Sequence, residues 1–249
     1  QRVDGVWQVR LGNGETLAAR AIANVAGPWV KEVLNQRLGV PSADSVRLVR
    51  GSHLVLPRLY AGEHAFILQN DDRRVVFMIP YEERFTLLGT TDVVESGDPL
   101  QPQATDAEAD YLYAAAGRYL RQAPRPREAV WRYAGVRPLY DDGSGDPSAI
   151  TRDYTLRLDG DGGAPVLSVF GGKLTTYRRL AEQVVDRLAA ALGDARPAWT
   201  ENSTLPGGEM PAGGLADYVA RDVAPRFPWL PAAQRDALAR RHGSELPAL

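Results

Sequence analysis

The sequence predicts a mixed α/β and α+β fold: an α/β portion, an antiparallel sheet inserted into it, and the start of a helical segment after it. Three observations predict this. A short apolar run, Arg20 to Ala26, ends at Gly27-Pro28 and is followed by apolar residues at helical spacing. Strand-like runs separated only by turns then fill the chain from Val46 to Gly89. A strand entering two glycines and a helix recurs at Phe170 to Arg178.

Each element has a local reason. Val6, Trp7 and Val9 before Leu11-Gly12-Asn13-Gly14-Glu15 read as a strand entering a hairpin. Trp29, Val30, Val33, Leu34 and Leu38 predict a helix that Gly39 ends. Strands are expected at Val46 to Pro57, Ala65 to Gln69, Val75 to Pro80 and Phe85 to Gly89, with Asn70-Asp71-Asp72-Arg73 as a turn. Thr105-Asp106-Ala107-Glu108 has the spacing of a capping box, and Tyr111, Leu112, Ala115, Ala116, Tyr119 and Leu120 supply the apolar stripe of the helix it starts. A strand at Ala129 to Val136 follows. Tyr154 to Leu158 and Val166 to Phe170 flank the turn Asp159 to Gly163, and Leu180, Val184, Leu188 and Leu192 mark a further helix. Beyond Pro197, Leu205-Pro206-Gly207-Gly208 reads as a linker, with short helices near Ala216 to Val223 and Ala232 to His242.

The composition bounds the chemistry. The 249 residues are 44% hydrophobic and 24% charged and contain no cysteine, which suits a globular fold and excludes disulfides, thiolate metal sites and a cysteine nucleophile. A formal charge of −2 gives no global reason to bind nucleic acid. No apolar run approaches the roughly 20 residues that span a bilayer. The chain begins at Gln1, without an initiator Met, on what reads as a hairpin strand, and is expected to be a portion of a longer protein.

Three segments could carry chemistry. In Phe170-Gly171-Gly172-Lys173-Leu174-Thr175-Thr176-Tyr177-Arg178, glycines let a flat ligand approach the backbone, and the helix start favours negative charge such as that of a reduced flavin. A plain glycine turn with a Thr N-cap is the alternative, and the spacing is not that of a P-loop. Only two of the 29 basic residues, Lys31 and Lys173, are lysine, which singles out an ammonium within this motif. In Trp131 to Leu139, Arg137 precedes a proline and is biased to extended backbone; with Arg152 in Ile150-Thr151-Arg152-Asp153-Tyr154 and with Lys173 it could form a pocket for a dianionic phosphate. A solvated surface arginine is the competing reading for each. His53, in the apolar strand around Arg50-Gly51-Ser52-His53, is suited to accept a hydroxyl proton, against the alternative of a hydrogen-bonded core histidine. His64 and His242 read as surface residues, the acidic loop Asp141 to Asp146 as a turn, and no metal site is expected.

Six motifs in order, Val25-Ala26-Gly27-Pro28-Trp29, Arg50-Gly51-Ser52-His53, Gly89-Thr90-Thr91-Asp92, Tyr133 to Leu139, Ile150 to Tyr154 and Gly171 to Arg178, resemble the FAD-dependent, aerobic bacterial glycerol-3-phosphate dehydrogenases over about residues 20 to 208. The resemblance implies part of an FAD-binding α/β domain (residues 1–45 and 166–196), an antiparallel-sheet substrate domain (46–165) and a linker with the start of a C-terminal helical domain (197–249). It implies oxidation of sn-glycerol 3-phosphate to dihydroxyacetone phosphate, with electrons passing from FAD to a quinone. A peripheral membrane homodimer on the inner face of the bacterial cytoplasmic membrane is implied as well. Carried over by residue, Arg137, Arg152 and Lys173 match substrate contacts, His53 matches the base with Lys173 and Arg137 beside it in the catalytic set, and Gly27, Gly171, Gly172, Lys173 and Thr175 lie near the flavin. The Gly-x-Gly-x-x-Gly turn that holds the FAD pyrophosphate is absent, so this chain alone is expected neither to retain FAD nor to turn over. An oxidoreductase of the amino-acid oxidase type and a non-catalytic module of the same fold are the alternatives. The first needs only one arginine fork for a carboxylate. The second fails if the dinucleotide motif stands about two hundred residues before His53 in the parent chain.

Overall fold

The computed structural model describes residues 1–125, 127–141, 143, 153–160, 163–194 and 196–249. They form two compact units, Gln1–Arg196 and Pro197–Leu249.

The first unit opens with β1 (Arg2–Val3), β2 (Val6–Arg10) and β3 (Thr16–Ala19), an antiparallel sheet in that order. Trp7 is fully buried with Val30, Leu34, Val166 and Phe170, and its indole N–H donates to the Pro165 carbonyl at 3.0 Å. This satisfies the one polar atom of a large apolar side chain. β4 (Ile22–Asn24) is shorter than the expected Arg20 to Ala26 strand, because the Asn24 side chain already turns the chain: its amide donates to the Val30 carbonyl at 2.9 Å and to Ser168 Oγ at 3.2 Å. The helical stretch that follows is a 3-10 turn Gly27–Trp29, a single α turn α1 (Val30–Glu32) and a π turn Val33–Arg37, and Gly39 leaves it with φ +69°.

The second sheet comprises β5 (Val46–Pro57), β6 (Phe66–Gln69), β7 (Val75–Tyr81), β8 (Phe85–Gly89), β9 (Val93–Val94) and, after α2 (Asp106–Gly117), β10 (Trp131–Tyr140). Its order is β10-β5-β8-β7-β6, with β9 also on β5, and every pairing is antiparallel. Alternation along the strands gives it two faces. Leu54, Leu56, Val76, Met78 and Leu88 turn to one side and bury Ala109, Leu112 and Ala116 of α2. Burying one side chain of the size of Leu112 stabilises by about 1.5–3 kcal/mol. The other side carries His53, Tyr133 and Arg137. The last strand runs four residues past the expected Val136, so Arg137 and Pro138 lie within it. Proline is tolerated there because β10 ends the sheet order, where a missing N–H costs no ladder bond.

β11 (Tyr154–Asp159) and β12 (Val166–Gly171) complete a third sheet of order β11-β12-β4, in which β12 runs parallel to β4. α3 (Tyr177–Leu192) packs on it through Val184, Leu180 and Leu188 against Leu156, Leu167 and Val169. It ends at Gly193, φ +70°, whose N–H reaches the Ala189 and Ala190 carbonyls. The second unit joins α4 (Gly214–Tyr218), a π turn Val219–Val223, α5 (Ala224–Arg226) and α6 (Ala232–His242) around Tyr218, Val223, Ala239 and Leu246. Among the described residues no helix is long and apolar enough to cross a membrane.

Candidate active site

His53 sits at the centre of β5, opposite Tyr133 on β10 and Gly89 on β8. Its imidazole stacks on the Tyr133 ring, centroids 5.0 Å apart and planes 7° from parallel, and Tyr133 in turn meets Trp131 at 4.9 Å. Gly89 makes room for it: a Cβ there would run into the imidazole Cδ2 and lie 2.8 Å from Cγ. The Nδ1 atom is buried without a hydrogen-bond partner among the described residues. Burial pushes the imidazole pKa below its ordinary value, and the Arg137 charge adds to this while the Gly51 backbone opposes it. The lowered pKa favours the neutral ring at physiological pH.

Arg137 shares that face, four register positions along the ladder. Its guanidinium lies over Gly51, where any Cβ would meet both terminal nitrogens. It donates to Thr90 Oγ1 at 2.8 Å, to the Thr91 carbonyl at 3.4 Å and to Asp92 Oδ1 at 3.2 Å. The Gly89-Thr90-Thr91-Asp92 segment, which contains a cis peptide between Gly89 and Thr90, thus supplies both the space for His53 and the seat of Arg137.

Behind this face lies a charged cluster. Glu108, the acidic member of the α2 capping box, is 6% exposed and receives hydrogen bonds from the Thr105 N–H (3.1 Å) and hydroxyl (2.8 Å), Ser52 Oγ (2.9 Å), Thr91 Oγ1 (2.7 Å) and Arg50 Nε (3.2 Å). Arg50 also pairs with Glu95 at 2.5 Å. Burial alone pushes the Glu108 carboxyl up, but the donors from Thr91, Thr105 and Arg50 outweigh it and bring the pKa down to about 2.

The glycine turns stand at one end of the third sheet. β4 and β12 are adjacent and parallel, so Gly27 (φ +55°) and Gly171-Gly172 (φ +79° and +104°) leave from their carboxyl ends, where ligands enter open α/β sheets. A Cβ on Gly27 would lie 3.9 Å from Pro138 Cγ, and one on Gly171 3.0 Å from the Tyr140 nitrogen, so both turns abut the end of β10 that carries Arg137. No side chain caps the start of α3: Thr175 lies within the 3-10 turn Leu174–Thr176, and the Thr176 hydroxyl donates to the Lys173 carbonyl instead. Thr176 thus stands at the N-cap position of α3 but makes no side-chain capping bond. Leu174 is 85% exposed beside it.

His53, Arg137, Gly27 and Gly171 are therefore gathered around β5 and β10. Lys173 follows the Gly171-Gly172 turn and is exposed. Arg152 lies outside the described residues, as do Asp161 and Gly162 of the expected hairpin turn and most of the acidic loop after Asp141. His64 packs against Tyr60 and Phe66 in an exposed loop. Sequence reasoning did not single out Tyr133, nor Glu108 beyond its helix cap. The available signal was the coincidence of a capping-box glutamate with Arg50 and Ser52 beside the histidine.

The model of the FAD dependent oxidoreductase family matches residues 1–178. A glycerol-3-phosphate dehydrogenase of Pseudomonas aeruginosa is 43% identical over 99% of this chain and 49% of its own length. A D-erythritol 1-phosphate dehydrogenase of Brucella abortus is 41% identical over 98% of this chain and 49% of its own. The crystal structure of a glycerol-3-phosphate dehydrogenase from Bacillus halodurans, complexed with FAD, superposes with a TM-score of 0.73 at 28% identity, covering 94% of this chain and 45% of that one. The chain spans about half the length of the curated relatives it matches. With that match over most of its length, the chain belongs to the FAD-dependent oxidoreductase family.

Proposed function

We propose that this chain is a portion, holding the substrate domain and part of the FAD domain, of a dehydrogenase that oxidises sn-glycerol 3-phosphate to dihydroxyacetone phosphate. The observation that carries this reading is the placement of His53 and Arg137 on one sheet face: a neutral proton acceptor beside a guanidinium able to fork onto a phosphate. His53 would take the C2 hydroxyl proton on a ring nitrogen, and its stack on Tyr133 holds the imidazole plane while it does so. Arg137, with Arg152 and Lys173, would bind the phosphate and so fix C2 relative to His53.

The residues present fit the flavin end of FAD and not its pyrophosphate. Gly27, Gly171, Gly172 and Thr175 offer left-handed backbone and an uncapped helix start at the carboxyl ends of two parallel strands, whereas the Gly-x-Gly-x-x-Gly turn is missing from the sequence. Bound FAD supplies the acceptor for the C2 hydride and passes electrons on to a quinone. We assign residues 1–45 and 166–196 to the FAD domain, 46–165 to the substrate domain and 197–249 to the linker and helical domain. The full-length protein is read as a homodimer peripheral to the inner face of the cytoplasmic membrane. The relative named for D-erythritol 1-phosphate supports a second reading in which the same pocket takes a longer polyol phosphate.

Anaerobic mixing of the full-length flavoprotein with substrate tests both. Bleaching by sn-glycerol 3-phosphate at least tenfold faster than by D-erythritol 1-phosphate supports the first reading, and the reverse order supports the second. Bleaching by an amino acid and by neither phosphate would overturn both.

A further inference from the structure

The sheet separates two polar groups that one tripeptide joins. On the His53 side, Arg137 is held by the Thr90 hydroxyl, the Thr91 carbonyl and the Asp92 carboxylate. On the α2 side, the Thr91 hydroxyl donates to Glu108 at 2.7 Å and accepts the Ser52 N–H at 2.9 Å. Adjacent hydroxyls thus reach opposite faces, Thr90 to the arginine and Thr91 to the glutamate. Thr91 is 1% exposed, so its position is set by these bonds and not by solvent.

Glu108 is suited to hold such a segment. Its carboxylate accepts from Ser52 on β5, from Thr91 on the β8–β9 connection and from Thr105 at its own helix start, so one side chain ties three pieces of chain together. Its two oxygens accept from three hydroxyls, one backbone N–H and the Arg50 guanidinium, a set of donors that favours the ionised carboxylate. An apolar side chain at 108 would fill the space but would leave the Thr91 and Ser52 hydroxyls without the acceptor they donate to.

We propose that Glu108 and Thr91 are positioning residues for the substrate phosphate: they act through the Thr90–Asp92 segment to set where the Arg137 guanidinium stands. The inference rests on the reading of Arg137 as the phosphate ligand given above. Neither residue touches substrate, and each acts through the seat that holds the Arg137 guanidinium.

The test uses the full-length flavoprotein and inorganic phosphate as the probe, with the phosphate Kd read from the flavin absorbance change, alongside KM and kcat for glycerol 3-phosphate. Thr91→Val keeps the shape and removes the donor, so it is the variant expected to fold; Glu108→Gln is the companion. The expected result is a phosphate Kd and a KM raised about tenfold in both, kcat changed less than threefold, and both constants restored in Thr91→Ser. An unchanged Kd in Thr91→Val and Glu108→Gln, in the face of a raised Kd in Arg137→Lys, would overturn the positioning role while leaving Arg137 its own. An unchanged Kd in Arg137→Lys itself would overturn the reading of Arg137, and this proposal with it.

Discussion

His53 and Tyr133 face one another across the β5–β10 ladder with their rings 5.0 Å apart and nearly parallel, directly opposite the bare Cα of Gly89 on the other neighbouring strand. The imidazole is thus fixed by one aromatic face and by one missing side chain. Gly89→Ala is expected to displace it, since the new methyl would occupy the ring's own space. Overpacking of this kind costs about 1–3 kcal/mol. A thermal melt would register the loss, and the histidine ring resonances would shift; an unchanged melt and spectrum would show that the ring has other room.

In the full-length enzyme His53→Asn should keep flavin and substrate binding but slow flavin reduction by about 10² to 10⁴, the usual contribution of a general base. The free imidazole titrates below its ordinary 6.5, so the rate should rise with pH through an inflection below that value, and the variant should lose the inflection. Stopped-flow reduction at the parent rate with the same pH profile would leave His53 a core histidine.

Arg137→Lys should raise KM for the phosphate substrate by at least tenfold. An ammonium cannot reproduce the planar fork with which the guanidinium holds Thr90, Thr91 and Asp92 and recognises a phosphate. Steady-state kinetics with KM unaltered would remove Arg137 from the phosphate site.

Lys173→Met should damage turnover far more than Lys31→Met, because Lys173 follows the two-glycine turn whereas Lys31 is half-buried on the single turn of α1. Equal effects on kcat/KM would mean that the rarity of lysine carries no functional information. The 249-residue chain purified alone should fold and be colourless, for want of the pyrophosphate turn; stoichiometric yellow flavin would overturn this.

Glu108 makes the fold sensitive to acid. Its carboxyl is held at about 2 in the folded chain against an ordinary 4.5, so the stabilisation is complete above 4.5 and is lost as pH falls towards 2. The difference corresponds to about 3 kcal/mol. Urea unfolding of the parent between pH 5 and 2.5 should show this loss, and Glu108→Gln, already destabilised at pH 7, should show a flatter dependence. Parallel curves would assign the acid sensitivity to other carboxylates.

Local periodicity determined most of the elements. Val46–Pro57 and Phe85–Gly89 stand at the residues where alternating apolar positions and flanking turns end them, and Ala232–His242 and the capped start of α2 were equally legible. Those features depend on neighbours a few residues away, which a sequence displays directly. The motifs around His53, Arg137 and Gly171 were legible too, because glycine, proline and an isolated histidine are unusual in strands. What the sequence left open was decided by register. Pairing His53 with Gly89 and Tyr133, and Gly51 with the space beneath Arg137, required three strands drawn from up to 86 positions apart to align within one residue. A slip of one in β5 would have sent His53 into the apolar layer with Leu88 and turned Leu54 out of it. The tertiary fold likewise turned Glu108 from a helix cap into the buried acceptor that joins α2 to the sheet, since its partners Ser52 and Thr91 lie 56 and 17 residues away along the chain. Sequence spacing identifies which groups can hydrogen-bond; only packing of the helix on the sheet decides which of them meet.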